Sequence, residues 1–77
     1  MNIYKSIMEF TDGRTITDLW SNKEGAVSYI ENSPNFEGIV RSELFEYISD
    51  GLMYRPEKCL FEYDASGNYY YNMEATT

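Results

Sequence analysis

Alternating apolar and polar residues near the start of the chain predict two β-strands joined by a tight turn. The two segments, residues 3–10 and 14–20, flank Asp12-Gly13, the pair that a two-residue type I′ hairpin turn prefers. Pairing Thr11 with Arg14 in such a turn sets Phe10, Met8 and Tyr4 on one face with Thr15, Thr17 and Leu19. The other face then carries Ile3, Ile7, Ile16 and Trp20. Both faces are partly apolar, so the pattern does not indicate which one is buried.

A helix is predicted to follow at residues 22–32. Ser21 and Glu24 have the S-x-x-E spacing of a capping box, in which each side chain bonds the other's free backbone N–H. Apolar side chains then share one face of the helix, at Ala26, Val27 and Ile30. Ser33-Pro34 ends the helix, because the residue before a proline avoids the α-helical region.

Residues 38–49 fit two templates. As a helix, they place Val40, Leu44, Phe45, Tyr47 and Ile48 on one broad stripe. As a strand, they alternate less cleanly, but Asp50-Gly51 supplies a second hairpin-type turn at their end. We favour the strand on the strength of that turn.

Aromatic-rich segments at 58–63 and 68–73 predict two further strands, joined by a short loop at 64–67. Pro56 indicates an edge position or a turn, because proline cannot donate to a sheet ladder. Cys59, Phe61 and Tyr63 are expected on one face of their strand, with Leu60, Glu62 and Asp64 on the other. Residues 1–77 are therefore expected to form a single α+β domain, a small antiparallel sheet of four to five strands with one helix, or two, packed on it.

The charge of the chain changes the set of plausible partners. The net charge is −7, and residues 31–77 carry nine of the thirteen acids but only three of the six bases. Nucleic acids and anionic membranes are bound by Lys and Arg, so neither is expected as a direct partner. A basic, Lys/Arg-rich protein is the partner that this charge favours.

The compartment is inferred from what the sequence contains near its start and from its cysteine count. Lys5 and Glu9 interrupt the first ten residues, which leaves no apolar stretch of signal-peptide length. Small secreted domains usually need several disulfides, and Cys59 is the single cysteine. We expect a cytoplasmic protein.

Candidate catalytic chemistry is sparse. The chain has no histidine, which removes the commonest general base and the commonest metal ligand. One cysteine cannot build a structural zinc site, and no phosphate-binding glycine motif occurs. Two carboxylate pairs, Glu43/Glu46 and Glu62/Asp64, could face one another, but thirteen acids in 77 residues produce such pairs by chance. We expect no enzyme, no cofactor and no metal, and we interpret Cys59 as a small apolar residue of the core.

Tyrosine interleaved with acid is the unusual feature of the second half. Tyrosine supplies large contact area with few rotatable bonds, and surrounding acids would attract a basic partner. Neighbouring strand residues alternate faces, so at least one of three consecutive tyrosines should be exposed. The predicted partner-binding residues are Glu43, Glu46, Tyr47, Glu62, Tyr63, Asp64, Tyr69, Tyr70 and Tyr71.

In size, acidity and expected strand content, the chain resembles as a class the anti-CRISPR and anti-restriction proteins that phages and mobile elements encode. That resemblance implies occupation of the basic channel of a nuclease by mimicry of nucleic acid. It rests on no motif, so it assigns no functional residue. Acids on one face of a strand recur about every 6.8 Å, whereas a DNA strand has a phosphate about every 3.4 Å of axis. Mimicry would therefore need acids from two neighbouring strands.

Two other functions compete with an inhibitor. The alternative is a homo-oligomeric structural or accessory subunit, in the simplest case a homodimer, whose aromatic strands complete a shared core. The third is a small-molecule sponge, with Trp20 and the tyrosines lining an aromatic cleft.

Overall fold

The computed structural model describes residues 2–49 and 51–71, apart from the side chain of Glu57. Its elements follow the order β1 (Asn2–Phe10), β2 (Thr15–Trp20), α1 (Lys23–Ile30), a 3-10 helix (Ser33–Asn35), β3 (Ile39–Ser49), β4 (Tyr54–Asp64) and β5 (Tyr69–Tyr71). The strands form one antiparallel sheet in the order β2-β1-β3-β4-β5. The predicted α+β class, with a helix packed on a small antiparallel sheet, is confirmed.

The first hairpin has a three-residue loop instead of the predicted two-residue turn. The backbone N–H of Phe10 donates to the carbonyl of Arg14 at 2.9 Å, and Gly13 has a φ of +90° in the loop between them. The predicted pairing of Thr11 with Arg14 is therefore wrong by one residue. Because side chains alternate with a period of two, this shift exchanges the faces of the whole second strand.

In the observed register Met8 lies opposite Ile16 and Tyr4 opposite Trp20. Tyr4 and Met8 are buried, while Ile16 and Trp20 are partly buried against the same core. The larger apolar residues of both strands thus meet on one face, and helix α1 covers that face with Ala26 and Ile30.

Helix α1 begins one residue later than the predicted capping box. Asn22 is the N-cap, and its side chain accepts a hydrogen bond from the backbone N–H of Gly25 at 3.0 Å. The prediction of Ser21 as the cap is wrong because asparagine caps a helix as well as serine does, and the helix starts directly after it. After α1, the buried hydroxyls of Ser33 and Ser42 lie 2.6 Å apart and join the 3-10 helix to β3.

The segment at 39–49 is a strand, as the Asp50-Gly51 turn indicated, although Asp50 itself lies outside the described residues. β3 pairs with β1 on one side and with β4 on the other. β2 and β3 therefore both flank β1 and run in the same direction, and the connection through α1 passes across the sheet.

A bulge in β4 overturns one predicted face. Leu44 of β3 lies opposite Phe61, whereas the next residue, Phe45, lies opposite Cys59, so Leu60 is an extra residue. Cys59 consequently does not share a face with Phe61, and Leu60 is buried in the core beside Phe61 instead of facing away with Glu62.

Candidate functional site

The sheet has one face that neither helical segment covers. Residues directly opposite each other on neighbouring antiparallel strands share a face, so the register defines this surface. We call it the open face. Its members are Ile3, Lys5, Ile7 and Glu9 of β1, Thr15, Thr17 and Leu19 of β2, Arg41, Glu43, Phe45, Tyr47 and Ser49 of β3, Tyr54, Pro56, Cys59, Glu62 and Asp64 of β4, and Tyr70 of β5.

The open face has an apolar half and a charged half. One cross-strand row contains Leu19, Lys5, Phe45 and Cys59, and the row beside it contains Ile3 and Tyr47. The two rows at the other end contain Thr17, Ile7, Glu43, Glu62 and Tyr70, and then Thr15, Glu9, Arg41 and Asp64. Carboxylates from three adjacent strands therefore converge on one end of an uncovered surface.

Glu43 and Glu62 form the centre of the charged half. They lie directly opposite each other on β3 and β4, where Cβ atoms are typically about 5 Å apart. Glu43 accepts a hydrogen bond from the Arg41 guanidinium at 3.2 Å. The Glu43 carboxylate foremost, and Glu9 and Glu62 after it, raise the pKa of Arg41 above its usual value. One arginine thus lies among four acids, which leaves this half of the face negative.

Asp64 lies at the end of the same surface, but its carboxylate is held by its own turn. It accepts hydrogen bonds from the Ser66 hydroxyl at 2.6 Å and from the Asn68 amide at 2.9 Å. These two side-chain bonds lower the pKa of Asp64 to about 2. Asp64 therefore stabilises the β4–β5 turn and contributes charge to the open face from a fixed position.

Glu46 is placed elsewhere. Three residues along a strand is an odd number, so Glu43 and Glu46 lie on opposite faces and form no carboxylate pair. Glu46 is only 3% exposed, and its carboxylate accepts hydrogen bonds from the Asn2 amide at 2.9 Å and the Tyr4 hydroxyl at 3.3 Å. Burial, and then the Glu46 charge, raises the pKa of Tyr4. The structure therefore gives Glu46 a place in the fold rather than on a contact surface.

The predicted tyrosines divide between the two faces. Tyr47 lies on the open face with the Lys5 ammonium 5.9 Å from its ring centroid, and Tyr70 lies opposite Glu62 and is 44% exposed. Tyr63, Tyr69 and Tyr71 lie on the helix-covered side instead.

Of the three tyrosines on the helix-covered side, Tyr63 packs against the core, whereas Tyr69 and Tyr71 contact Phe61 but remain exposed. The rings of Tyr69 and Tyr71 contact Phe61 edge-on at centroid distances of 5.6 and 5.9 Å. The Tyr71 hydroxyl donates a hydrogen bond to Glu31 at 3.0 Å, which joins β5 to the end of α1. The alternation predicted for the three consecutive tyrosines is present, with Tyr70 alone on the open face.

Cys59 lies partly buried on the open face, opposite Phe45. Its thiol donates to the Phe61 carbonyl at 3.4 Å, and burial raises its pKa. A thiol with a raised pKa has little thiolate at neutral pH, so this cysteine is a poor nucleophile.

Sequence reasoning missed the open-face residues of β1 and β2 and, on β3, Arg41 and Phe45. Strand alternation could have assigned each of them to a face of its own strand. What it could not supply was the pairing of β1 with β3, which brings Glu9 beside Arg41 and Ile7 beside Glu43.

Other features of the described residues are a depression beside α1 and the exposed apolar side chains of Leu52 and Met53. A shallow depression of about 410 Å3 on the outer side of α1 is lined by Lys23, Glu24, Val27 and Ser28, and none of the aromatic residues borders it. Trp20 packs against Tyr29 at 5.1 Å between centroids and donates to the Ser6 hydroxyl at 3.0 Å. Over the same described residues, no group of three or more Cys, Asp or Glu side chains has a metal-binding arrangement.

None of the helices in the part of the chain that the structure describes has the length and apolar character needed to cross a membrane. The comparisons with known proteins gave no match, whether to a family model, to a curated protein or to a solved structure. The interpretation of the site therefore depends on its geometry.

Proposed function

We propose that the chain is a non-catalytic binding protein that inhibits a basic, nucleic-acid-handling protein, and that it binds this target through the charged half of its open face. The observation that carries the proposal is the convergence of Glu9, Glu43 and Glu62 from three adjacent strands on an uncovered surface. Anti-CRISPR and anti-restriction proteins act in this way. We assign the chain to that class, whether or not a phage encodes it.

Mimicry of nucleic acid imposes a condition on charge density, and one row of the open face meets it. One acidic strand is about half as dense in charge as a DNA strand. Glu43 and Glu62 lie directly opposite each other on neighbouring strands, and Asp64 follows two residues beyond Glu62 on the same face. Acids from two strands thus combine in the Glu43/Glu62 row and double the density there, whereas in the next row Arg41 lies opposite Asp64.

Aromatic and apolar residues beside the acids favour a protein target over a simple ion. Tyr70 is exposed directly opposite Glu62, and Phe45 and Tyr47 lie on the next rows of the same surface. A charged rim gives fast association with a basic partner, while aromatic side chains supply most of the binding free energy. Tyr70 is the residue of this surface that we expect to contribute most as an anchor.

The proposed set of contact residues is smaller than the set that the sequence predicted. Glu43, Tyr47, Glu62, Asp64 and Tyr70 share the open face. The proposal leaves out Glu46, which is buried, and Tyr63, Tyr69 and Tyr71, which lie on the helix-covered side of the sheet, although Tyr69 and Tyr71 are 59% and 45% exposed.

The test is a tagged pull-down from a nuclease-treated host lysate with three proteins as bait. The first is the wild type, the second is Glu43→Gln/Glu62→Gln, and the third is Glu24→Gln/Glu37→Gln. The third is a matched control, because it removes the same charge from exposed residues outside the open face. Glutamine is preferred to lysine because Glu43 is mostly buried by its neighbours and tolerates a shape-conserving change best.

The proposal expects one basic nucleic-acid-binding protein to be retained by the wild type and the control and lost from the open-face variant. It also expects the purified target to lose its activity on nucleic acid when wild-type protein is added. Retention of the same protein by all three baits would move the binding surface away from Glu43 and Glu62. A retained target whose activity is unchanged would contradict inhibition.

A further inference from the structure

β2 is an outer strand of the sheet, and its outward main-chain groups are identified by the hydrogen bonds of the first hairpin. The backbone N–H of Phe10, at the end of β1, donates to the carbonyl of Arg14, so Arg14 and Phe10 form a hydrogen-bonded pair. Such pairs alternate in an antiparallel ladder, so Ile16, Asp18 and Trp20 also direct their main-chain groups toward β1. The N–H and C=O groups that point away from the sheet are those of Thr15, Thr17 and Leu19.

This edge lacks the features that usually prevent strand pairing. β2 contains no proline and no lysine, and its register with β1 has no bulge. Proteins use such residues and irregularities to block edge-to-edge association. The side chains of Thr15, Thr17 and Leu19 are all exposed, Leu19 to 67%. The only charge in the strand is Asp18, which lies on the helix-covered side and takes part in a hydrogen bond with Tyr29.

The edge is also the region where two copies of this acidic chain can meet without strong repulsion. Residues 12–23 carry two acids, Asp12 and Asp18, and two bases, Arg14 and Lys23, within a protein whose net charge is −7. Three acids of the charged half, in contrast, lie on β3 and β4, farther from this edge, and Glu9 of β1 is the acid nearest to it.

We propose that two copies of the chain pair antiparallel through β2, about a two-fold axis at Ile16, and join their five-stranded sheets into one. In this register Ile16 lies opposite Ile16 of the second copy. Thr15 of each copy exchanges main-chain hydrogen bonds with Thr17 of the other. Arg14 of each copy lies opposite Asp18 of the other, on the helix-covered side.

Charge complementarity selects this register over its neighbours. An axis at Asp18 would place the two Asp18 carboxylates opposite each other, and like charges in that position are destabilising. An axis at Thr17 would place Asp18 opposite an isoleucine. The axis at Ile16 pairs each Asp18 with an arginine. Arg14 now bonds Asp12 at 2.7 Å on the exposed surface and lies 4.6 Å from the Phe10 ring centroid, and because such exposed contacts contribute little, Arg14 can bridge the copies instead.

The two-fold axis is perpendicular to the sheet, because opposed residues share a face. Both helices then lie on one side, and both open faces form a continuous surface on the other. This inference rests on the main-chain edge of β2 and not on the carboxylates of the proposed inhibitor function, so it does not depend on that function.

Sedimentation equilibrium on the purified full chain tests the proposal. The wild type is expected at twice its 9.0 kDa mass. Thr17→Pro removes an outward N–H without removing a bond to β1, and it should sediment as a monomer. Circular dichroism establishes that each variant is folded.

A charge series tests the register and keeps the proposal falsifiable if the proline variant fails to fold. Arg14→Glu places a carboxylate opposite Asp18, and Asp18→Lys places a cation opposite Arg14. Each should raise the dissociation constant of the dimer at least about tenfold, and the combined variant should restore it.

Three results would overturn the inference. The first is a wild type that stays monomeric at every concentration up to the millimolar range. The second is a folded Thr17→Pro protein, or single charge variants, that dimerise like the wild type. The third is a monomer whose β2 amides become protected from hydrogen exchange only when a target protein is added, which would assign the edge to that target.

Discussion

Glu43 and Glu62 lie directly opposite each other on neighbouring strands, with both side chains on the open face of the sheet. Each like-charge pair in this position works against folding by a few tenths of a kcal/mol up to about 1 kcal/mol. Arg41 offsets part of this repulsion through its bond to Glu43. A cluster that opposes folding is the arrangement expected if the acids serve binding instead of stability.

The first prediction concerns that repulsion. Glu62→Gln removes one of the opposed charges while conserving side-chain size, so the free energy of unfolding should rise by about 0.2–1 kcal/mol. Urea denaturation measures it. Glu37→Gln, at an exposed position outside the open face, should change the free energy by less than about 0.5 kcal/mol. A clear loss of stability in Glu62→Gln would show that the Glu62 charge supports the fold.

Glu46, in contrast to Glu62, should stabilise the fold. Its buried carboxylate satisfies the Asn2 amide and the Tyr4 hydroxyl, so Glu46→Ala should lower the free energy of unfolding by about 1–3 kcal/mol. Glu46→Gln keeps an acceptor and should cost less. Thermal unfolding of both variants checks the order. An alanine variant as stable as the wild type would contradict the structural role of this residue.

Alanine substitutions at two glycines should change the free energy of unfolding in opposite directions. Gly13 has a φ of +90°, and an added Cβ would meet nothing within 4 Å, so Gly13→Ala carries only backbone strain and should cost about 1–2 kcal/mol. Gly25 lies in α1, where an added Cβ would touch the Trp20 ring at an ordinary 3.7 Å. Gly25→Ala should therefore stabilise the protein by up to about 1 kcal/mol. Both values come from urea denaturation, and a destabilised Gly25→Ala would contradict the placement of the helix over Trp20.

Asp64 predicts a pH dependence in the acid range. Its pKa is about 2 in the folded protein, below the value near 3.9 of an unfolded chain. The stabilisation that the ionised Asp64 carboxylate gives to the folded state is therefore complete above about pH 4. It is lost as the pH falls through about 2.

Asp64→Asn removes this titration and tests it. The unfolding free energies of wild type and variant, measured from pH 5 down to pH 1.5, should differ most at the upper end and converge at the lower end. Parallel curves across this range would show that Asp64 titrates alike in both states.

The sequence predicted the elements of this fold better than their relationships. A strand at 38–49 was predicted because Asp50-Gly51 offers a turn, and the observed β3 spans Ile39–Ser49. Asp12-Gly13 also predicted a turn correctly, but the loop contains Thr11 as well, and one added residue reversed the faces of β2. Both two- and three-residue loops accommodate a glycine with positive φ, so the dipeptide alone could not fix the register.

For the candidate site as well, features within one strand were predicted correctly and contacts between strands were not. Alternation placed Glu62 with Asp64 and separated Tyr70 from its neighbours, because both facts are local to one strand. The meeting of Glu43 with Glu62 depends on the register between strands. The bulge at Leu60 has no signal in the residues around it, and the burial of Glu46 follows from Asn2 and Tyr4, more than forty residues away.

The most direct test of the proposed function is the affinity of the captured target, measured by titration calorimetry at low and high salt. The account predicts that Glu43→Gln/Glu62→Gln weakens binding at least about tenfold, or 1.4 kcal/mol, relative to both the wild type and Glu24→Gln/Glu37→Gln. It also predicts that the loss shrinks at high salt, because the missing charges are the ones that salt screens. Equal affinity for all three proteins at low salt would contradict binding through the charged half of the open face.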